Sequence, residues 1–171
     1  MLLAAGQPPW RAVGRHVLWA AGSLLVALAA ALSLLSPWFS EKRLEASLTD
    51  YQRGRLGPSI AAVREAHSYD PLALDPLLVW AGIEGSAGNI PEAKRLYRKA
   101  VRLKPRDAEA WFEFGVFELK VDCYAARAYE YMNRSYTLDP FGPTSRPGGP
   151  LDEARRLVNK QAGKTGKAPC S

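Results

Sequence analysis

The sequence has few of the residues from which catalytic and metal sites are usually built. Its 171 residues include two histidines and two cysteines. The histidines, His16 and His67, are too few for a histidine-rich metal site, and they suggest no nucleophile-and-base arrangement. The cysteines, Cys123 and Cys170, lack the short spacing of zinc and redox motifs, and the sequence leaves open whether they pair. We therefore expect no enzymatic activity, no metal and no cofactor.

Signals for binding nucleotides or nucleic acids are also missing. The glycine-rich stretch 142–149 matches neither the phosphate-binding loop nor the dinucleotide fingerprint. The net charge is +6, but the cations are scattered. The most basic stretch, 94–102, interleaves its charges with apolar positions, which is typical of a solvated helix face. We expect no nucleic-acid partner, and contact with anionic headgroups or glycans stays as the alternative.

Charge is absent from a long N-terminal stretch. No Asp, Glu, Lys or Arg occurs over residues 16–40, and 17–35 is nearly all Leu, Ala and Val. In a helix, 17–35 would span roughly 28 Å, about the thickness of bilayer hydrocarbon. Trp19 and Trp38 lie near the ends of this run, as interfacial anchors do. The pattern predicts a transmembrane signal-anchor helix over 16–39.

Two other interpretations of this segment are a cleaved signal peptide and a buried helix of a soluble protein. Arg11, Arg15 and the alanines at 29–31 supply a basic start and a loosely matching cleavage site. The apolar run continues past that site, which favours a retained anchor. A mature chain that begins near Leu32 would instead show cleavage.

The charges that flank the segment give opposite indications of its orientation. More cations follow it, at Lys42, Arg43, Arg53 and Arg55, than precede it, so the positive-inside rule favours a cytoplasmic array. Arg53 and Arg55, however, fall inside a predicted folded unit, and a short basic N-terminus is typical of a secretion signal. We expect a single-pass protein of the plasma (inner) membrane, and the flanking charges alone leave open which side carries the rest of the chain.

Three look-alike segments follow the apolar run. Ser-Tyr-Asp-Pro, Arg-Leu-Lys-Pro and Thr-Leu-Asp-Pro end at Pro71, Pro105 and Pro140, which are 34 and 35 residues apart. Counting back 12, 8 and 5 residues from each proline gives a small, a large apolar and a small residue. The sets are Ser59, Val63, Ala66; Ala93, Tyr97, Ala100; and Ala128, Met132, Ser135. This spacing is typical of closely packed amphipathic helices, and the period predicts a solenoid of helical hairpins.

At these positions the chain resembles the tetratricopeptide repeat (TPR) family. Repeats two and three match from about Ala73 to Pro140, and repeat one is degenerate because Arg43 and Ser59 replace the usual apolar residue and alanine. The resemblance implies an all-α fold in which a transmembrane helix precedes a short α-solenoid of about three hairpins and a C-terminal capping helix. The expected boundaries are an N-terminal tail at 1–15, the membrane helix at 16–39, the array at 40–141 with repeats at about 40–73, 74–107 and 108–142, a Pro/Gly linker at 142–150, the capping helix at 151–162 and a disordered tail at 163–171.

The chain is also similar, more generically, to the TPR tail that follows the last membrane helix of bacterial O-antigen ligase-like proteins. A Ser-Pro-Trp exit at 36–38 and the helix ends Tyr-Asp-Pro-Leu-Ala at 69–73 and Leu-Asp-Pro at 138–140 carry this resemblance. The chemistry of those proteins belongs to a multi-helix membrane domain, whereas this sequence has one membrane segment. The resemblance implies an accessory or detached tail of a polysaccharide ligase or polymerase system. In that setting the tail would face outward, so the resemblance favours the extracytoplasmic side for the repeat array.

The TPR resemblance further implies a groove lined by the first helix of each repeat. Its positions here are Leu44, Leu48, Tyr51, Leu78, Gly82, Gly85, Phe112, Val116 and Leu119, with Glu109 and Lys120 among its few charges. An apolar or amphipathic helix, or a membrane protein, fits such a groove, although the capping helix could fill the same surface. We expect a non-catalytic, membrane-anchored scaffold or adaptor for protein–protein interaction at the bacterial cell envelope. The alternatives are the polysaccharide-system tail and a secreted soluble TPR protein.

Overall fold

The computed structural model describes residues 10–160, with side chains over 10–34 described only at 17, 19–30 and 33. The tails at 1–9 and 161–171, including the predicted disordered tail, lie outside the described residues. Within 10–160 the regular structure is entirely helical, which confirms the prediction of an all-α solenoid of helical hairpins. The helices are α1 (Trp10–Gln52), α2 (Leu56–Tyr69), α3 (Asp75–Ser86), α4 (Ile90–Leu103), α5 (Ala108–Lys120), α6 (Ala125–Leu138) and α7 (Pro150–Lys160), with a 3-10 turn at Pro143–Ser145.

Three antiparallel hairpins form the array, and each closes at a residue with positive φ. The end of α1 pairs with α2, α3 with α4, and α5 with α6. Gly54 and Gly88 close the first two hairpins at φ of 72° and 81°. Cys123 closes the third at φ of 58°, a conformation that few non-glycine residues adopt.

The core lies where α3, α4, α5 and α6 meet. The small residues of the repeat, among them Ala93, Ala100 and Ala128, are fully buried and bring the helices close together. The ring of Tyr97 stacks on that of Phe114, with ring centroids 5.3 Å apart. The ring of Tyr131 also stacks on Phe114, with ring centroids 4.4 Å apart. The pattern of large and small residues therefore has the packing role that the sequence predicts.

The degenerate first repeat uses polar contacts where the other repeats are apolar. Ser47 and Ser59 are both fully buried, and the Ser47 hydroxyl donates to the Ser59 carbonyl oxygen at 2.9 Å. Arg43 pairs with Glu65 across the hairpin, with 3.2 Å between Nε and Oε1. The serines can replace alanine because each hydroxyl is small and the pair satisfies its own hydrogen bonding.

Helix α1 is one continuous helix that serves two parts of the molecule. Its last turns form the first helix of repeat one, and Pro37 lies inside it, where the ring removes one backbone hydrogen bond. The part from Trp19 to Gln52 is long and apolar enough to cross a membrane. The side chains of Trp19, Leu24 and Val26 are exposed. The predicted boundary between 39 and 40 is therefore not a break in the helix.

The C-terminal helix α7 docks on the third hairpin. Ala154 is fully buried in a small apolar cluster with Leu119 and Met132, and Leu151 and Leu157 pack against it. The carboxylate of Glu153 accepts from Lys120 at 2.7 Å. Helix α7 therefore covers the last hairpin, as a capping helix does.

Candidate functional site

A cleft of about 460 Å³ lies on the concave side of the array, between the first helices of the three repeats. Helices α1, α3 and α5 form its walls, and Tyr97 of α4 reaches its floor. The lining residues are Leu48, Tyr51, Asp75, Leu78, Val79, Gly82, Ile83, Ser86, Tyr97, Glu109 and Glu113. The walls are mostly apolar, so an apolar side chain that entered the cleft would be removed from water.

The depth of the cleft depends on Gly82. A Cβ atom at this position would meet nothing closer than the Tyr97 hydroxyl, at 3.8 Å. The missing side chain thus leaves the middle of α3 open down to Tyr97. Burial raises the pKa of Tyr97, so its hydroxyl stays neutral and available as a hydrogen-bond donor.

The acidic and basic side chains described in the lining of the cleft are all carboxylates. Asp75 lies at the start of α3, and Glu109 and Glu113 lie one turn apart on α5. Burial raises the pKa of Glu113, and the nearby charge of Glu109 raises it further. No lysine or arginine is among the lining residues within the part of the chain that the structure describes. The site therefore repels anionic groups and attracts cationic ones.

Some of the predicted groove residues line this cleft, and others lie outside it. Leu48, Tyr51 and Leu78 line the cleft, together with Gly82 and Glu109. Leu44 is half-buried and is not part of the lining. Phe112 lines an adjoining, smaller hollow of about 350 Å³, together with Ser135 and Pro143, and Glu109 and Glu113 line both the hollow and the cleft.

Helix α7 covers the remaining predicted positions. Leu119 is only 6% exposed, and Val116 packs against the same cluster. Lys120 is paired with Glu153. With α7 docked, Leu119 is closed to a partner and Val116 is partly covered, whereas the Lys120 side chain remains 45% exposed. The cleft itself extends over repeats one and two and the start of repeat three.

Sequence reasoning missed several lining residues because the open face of α3 is wider than predicted. Leu78 and Gly82 line the cleft as expected, and neighbouring residues line it as well. Val79, Ile83 and Ser86 line the cleft, one residue after Leu78, Gly82 and Gly85. One residue corresponds to a rotation of roughly 100° around a helix. Gly85 is instead closed off by Phe117, whose ring lies 3.0 Å from where a Cβ atom would stand. Only tertiary packing reveals which residues of α3 face the cleft.

Two buried carboxylates occupy equivalent positions in the second and third repeats, outside the cleft. Glu84 accepts from Trp80 Nε1 and from Asn89 Nδ2, each at 2.9 Å. Glu118 lies 3.6 Å from Lys94 Nζ, which also contacts Asp122. Burial raises the pKa of Glu118, and Lys94 opposes the rise. Their enclosure and partners suit a structural role.

The described residues hold no group of three or more His, Cys, Asp or Glu side chains arranged to bind a metal ion. Cys123 is disulfide-bonded. The second cysteine of the chain, Cys170, lies outside the described residues.

Comparison with solved structures identifies the architecture. The TPR domain of human RPAP3 superposes with a TM-score of 0.63 at 14% identity, covering 75% of this chain and 98% of that one. The fold is a TPR array. Pseudomonas aeruginosa pilF gives a TM-score of 0.65 at 22% identity, covering 74% of this chain and 57% of that one. The first TPR of Spaghetti (RPAP3), bound to the HSP90 peptide SRMEEVD, gives a TM-score of 0.61 at 15% identity. The match covers 74% of this chain and 95% of that one.

These similarities are low in sequence and show the fold alone. No protein-family profile matches the chain, and no curated protein matches it either.

Proposed function

We propose that this TPR protein is a non-catalytic, membrane-anchored scaffold of the bacterial cell envelope, and that its concave cleft binds a segment of a protein partner. The observation that carries the proposal is the cleft itself, which is apolar inside, acidic at its rim and open between repeats one and three. Such a cleft fits an amphipathic segment that places apolar side chains inside and polar ones at the rim.

The charge of the rim indicates the chemistry of the partner. The peptide bound to Spaghetti (RPAP3), SRMEEVD, has three acidic side chains. Asp75, Glu109 and Glu113 would repel a ligand of that kind, because the lining holds no cation to offset them. We infer that the partner segment carries lysine or arginine beside its apolar residues. A cation at the rim would favour the charged form of Glu113, so affinity should fall as acidic pH protonates this residue.

The anchor is supported by the continuous helix α1. Its apolar part is exposed in the structure, and burying these side chains in lipid would remove them from water. The bonded state of Cys123 supports an array on the extracytoplasmic side, because disulfides are rare in the cytoplasm. The proposed arrangement is a single membrane-spanning segment with the array outside the cytoplasm.

Fluorescence anisotropy with two synthetic amphipathic peptides tests the cleft. Both peptides carry the same leucine and alanine face, and their polar face is lysine in one and glutamate in the other. We expect the lysine peptide to bind the full chain in detergent roughly tenfold more tightly, about 1.4 kcal/mol. Gly82→Leu should abolish this binding, because the new side chain fills the cleft without striking the backbone.

The matched control is Ala126→Leu, which places a leucine on an exposed position of α6 outside the cleft. It should leave the affinity unchanged. Equal binding of the lysine peptide by Gly82→Leu and the unmodified chain would show that the cleft is not the binding site. A preference for the glutamate peptide would contradict the inference about charge.

A further inference from the structure

The turns between repeats all lie at the end of the array from which the apolar part of α1 leaves. Residues 41–52 of α1 form the first helix of repeat one, as α3 and α5 form the first helices of repeats two and three. Since α2, α4 and α6 run back antiparallel to these helices, they end at this same side of the array. We call this side the turn edge and define it as residues 69–74, 104–107 and 139–142.

Residues at the end of the apolar run contact the turn edge directly. The hydroxyl of Ser36 donates to the carbonyl oxygen of Tyr69, and the ring of Phe39 lies 5.6 Å from that of Tyr69. Trp38 packs edge-on against Phe39, with centroids 4.9 Å apart. The first turn therefore lies beside the residues that directly follow Leu35, the last residue of the apolar run.

The turn edge also carries the most exposed apolar side chains found beyond α1 in the described part of the chain. Leu72 is 71% exposed and Phe141 is 96% exposed. Large hydrophobic residues elsewhere after α1 reach 42% at most, and Val121 on the opposite edge is 38% exposed. Two protruding apolar residues on one edge need a surface to cover them.

The turn edge carries three aspartates and two cations. Asp70, Asp107 and Asp139 each accept a backbone N–H within their own turns, at 3.1, 3.0 and 3.1 Å. Lys104 and Arg106 of the middle turn are exposed. All three aspartates thus bind a backbone N–H in or beside their turns, and the two exposed cations can reach anionic headgroups.

We propose that the turn edge rests on the bilayer surface, with Leu72 and Phe141 at headgroup level. This inference rests on the proposed anchoring. A bilayer that encloses residues 17–35 has its interface at about Ser36 to Phe39, the depth at which the first turn is held. Tryptophan and tyrosine, here Trp38 and Tyr69, are the residues that favour this depth. The array would then lie against the membrane, with its opposite edge in water.

Photo-crosslinking in the full chain tests this arrangement. The photoreactive residue p-benzoylphenylalanine replaces Leu72, Phe141, Val26 or Ala87, one at a time, and the purified chain is reconstituted in phosphatidylethanolamine and phosphatidylglycerol vesicles. Val26 lies within the apolar run, and Ala87 is exposed on the opposite edge. We expect a mass increase of one lipid at positions 26, 72 and 141, and none at 87.

The outcomes separate this inference from the anchoring on which it rests. Lipid adducts at 26 with none at 72 and 141 would leave the anchor in place and overturn the contact of the turn edge. An adduct at 72 without one at 141 would overturn the contact of the edge as a whole. Adducts between two copies of the chain would make the edge a protein interface instead. No adduct at position 26 would overturn the anchoring itself.

Discussion

Three glycines inside helices show how single residues set the shape of the array. Gly82 opens the cleft, whereas Gly85 and Gly115 allow neighbouring helices to approach. A Cβ atom on Gly115 would lie 2.6 Å from Met132 Cγ and 3.2 Å from the Met132 backbone nitrogen. Glycine therefore leaves open space at position 82 and allows close helix packing at positions 85 and 115.

These roles predict opposite effects of alanine on stability. Gly82→Ala should raise the free energy of unfolding by about 1 kcal/mol, since alanine favours the helix and has room. Gly115→Ala gains the same propensity but overpacks the contact with α6, so we expect a net loss of about 1 to 2 kcal/mol. Thermal unfolding of the full chain in detergent, followed by circular dichroism, measures both. Equal shifts of the two variants would contradict this account.

The sequence allows some of these residues to be predicted and hides others. The close-packing role of Gly115 can be predicted from the repeat, because small residues recur where helices cross. The place of Gly82 in the groove follows from the TPR resemblance, but its opening onto Tyr97, a residue of α4, does not. Which glycine is open depends on the rotation of α3 against α5, and this rotation comes from packing rather than from spacing in the sequence.

At the scale of helices, buried charges join consecutive repeats. Lys94 of α4 is 14% exposed and contacts Glu118 and Asp122 in the next hairpin. Both acidic side chains are almost completely buried. The lysine thus connects repeat two to repeat three across the junction between α4 and α5.

Removing this lysine should destabilise the array strongly. In Lys94→Met, two buried carboxylates lose their common cation, and we expect a loss of about 3 to 5 kcal/mol in the free energy of unfolding. Arg98→Met, on the exposed face of the same helix, is the matched control and should change stability by less than about 0.5 kcal/mol. Urea unfolding of the full chain in detergent distinguishes them. Similar losses in both variants would show that the buried contact is not what stabilises the junction.

Helix α7 shows the limit of prediction at this scale. Its apolar face is evident in the sequence, and the observed Pro150–Lys160 lies close to the expected 151–162. Its docking on Val116 and Leu119 is not readable from periodicity, because the same apolar face would suit a partner helix equally well. The ion pair between Lys120 and Glu153 and the burial of Ala154 decide where it packs.

At the scale of the molecule, α1 joins the proposed anchor to the array without a break. This helix of 43 residues contains the apolar run and the first helix of repeat one. The period of the prolines predicts the array, and the absence of charge predicts the apolar helix. The acidic cleft could not be predicted, because its lining comes from four helices whose mutual rotation only the fold determines.

The central claim is that one chain holds a partner-binding cleft at a membrane. Flotation of phosphatidylcholine vesicles that contain the full chain, mixed with the fluorescent lysine peptide, tests both parts together. We predict that the peptide floats with vesicles that carry the unmodified chain, and that with Gly82→Leu its recovery falls to the level of empty vesicles. A chain that stays at the bottom of the gradient would contradict the anchor. Equal recovery of the peptide with both chains would contradict the cleft.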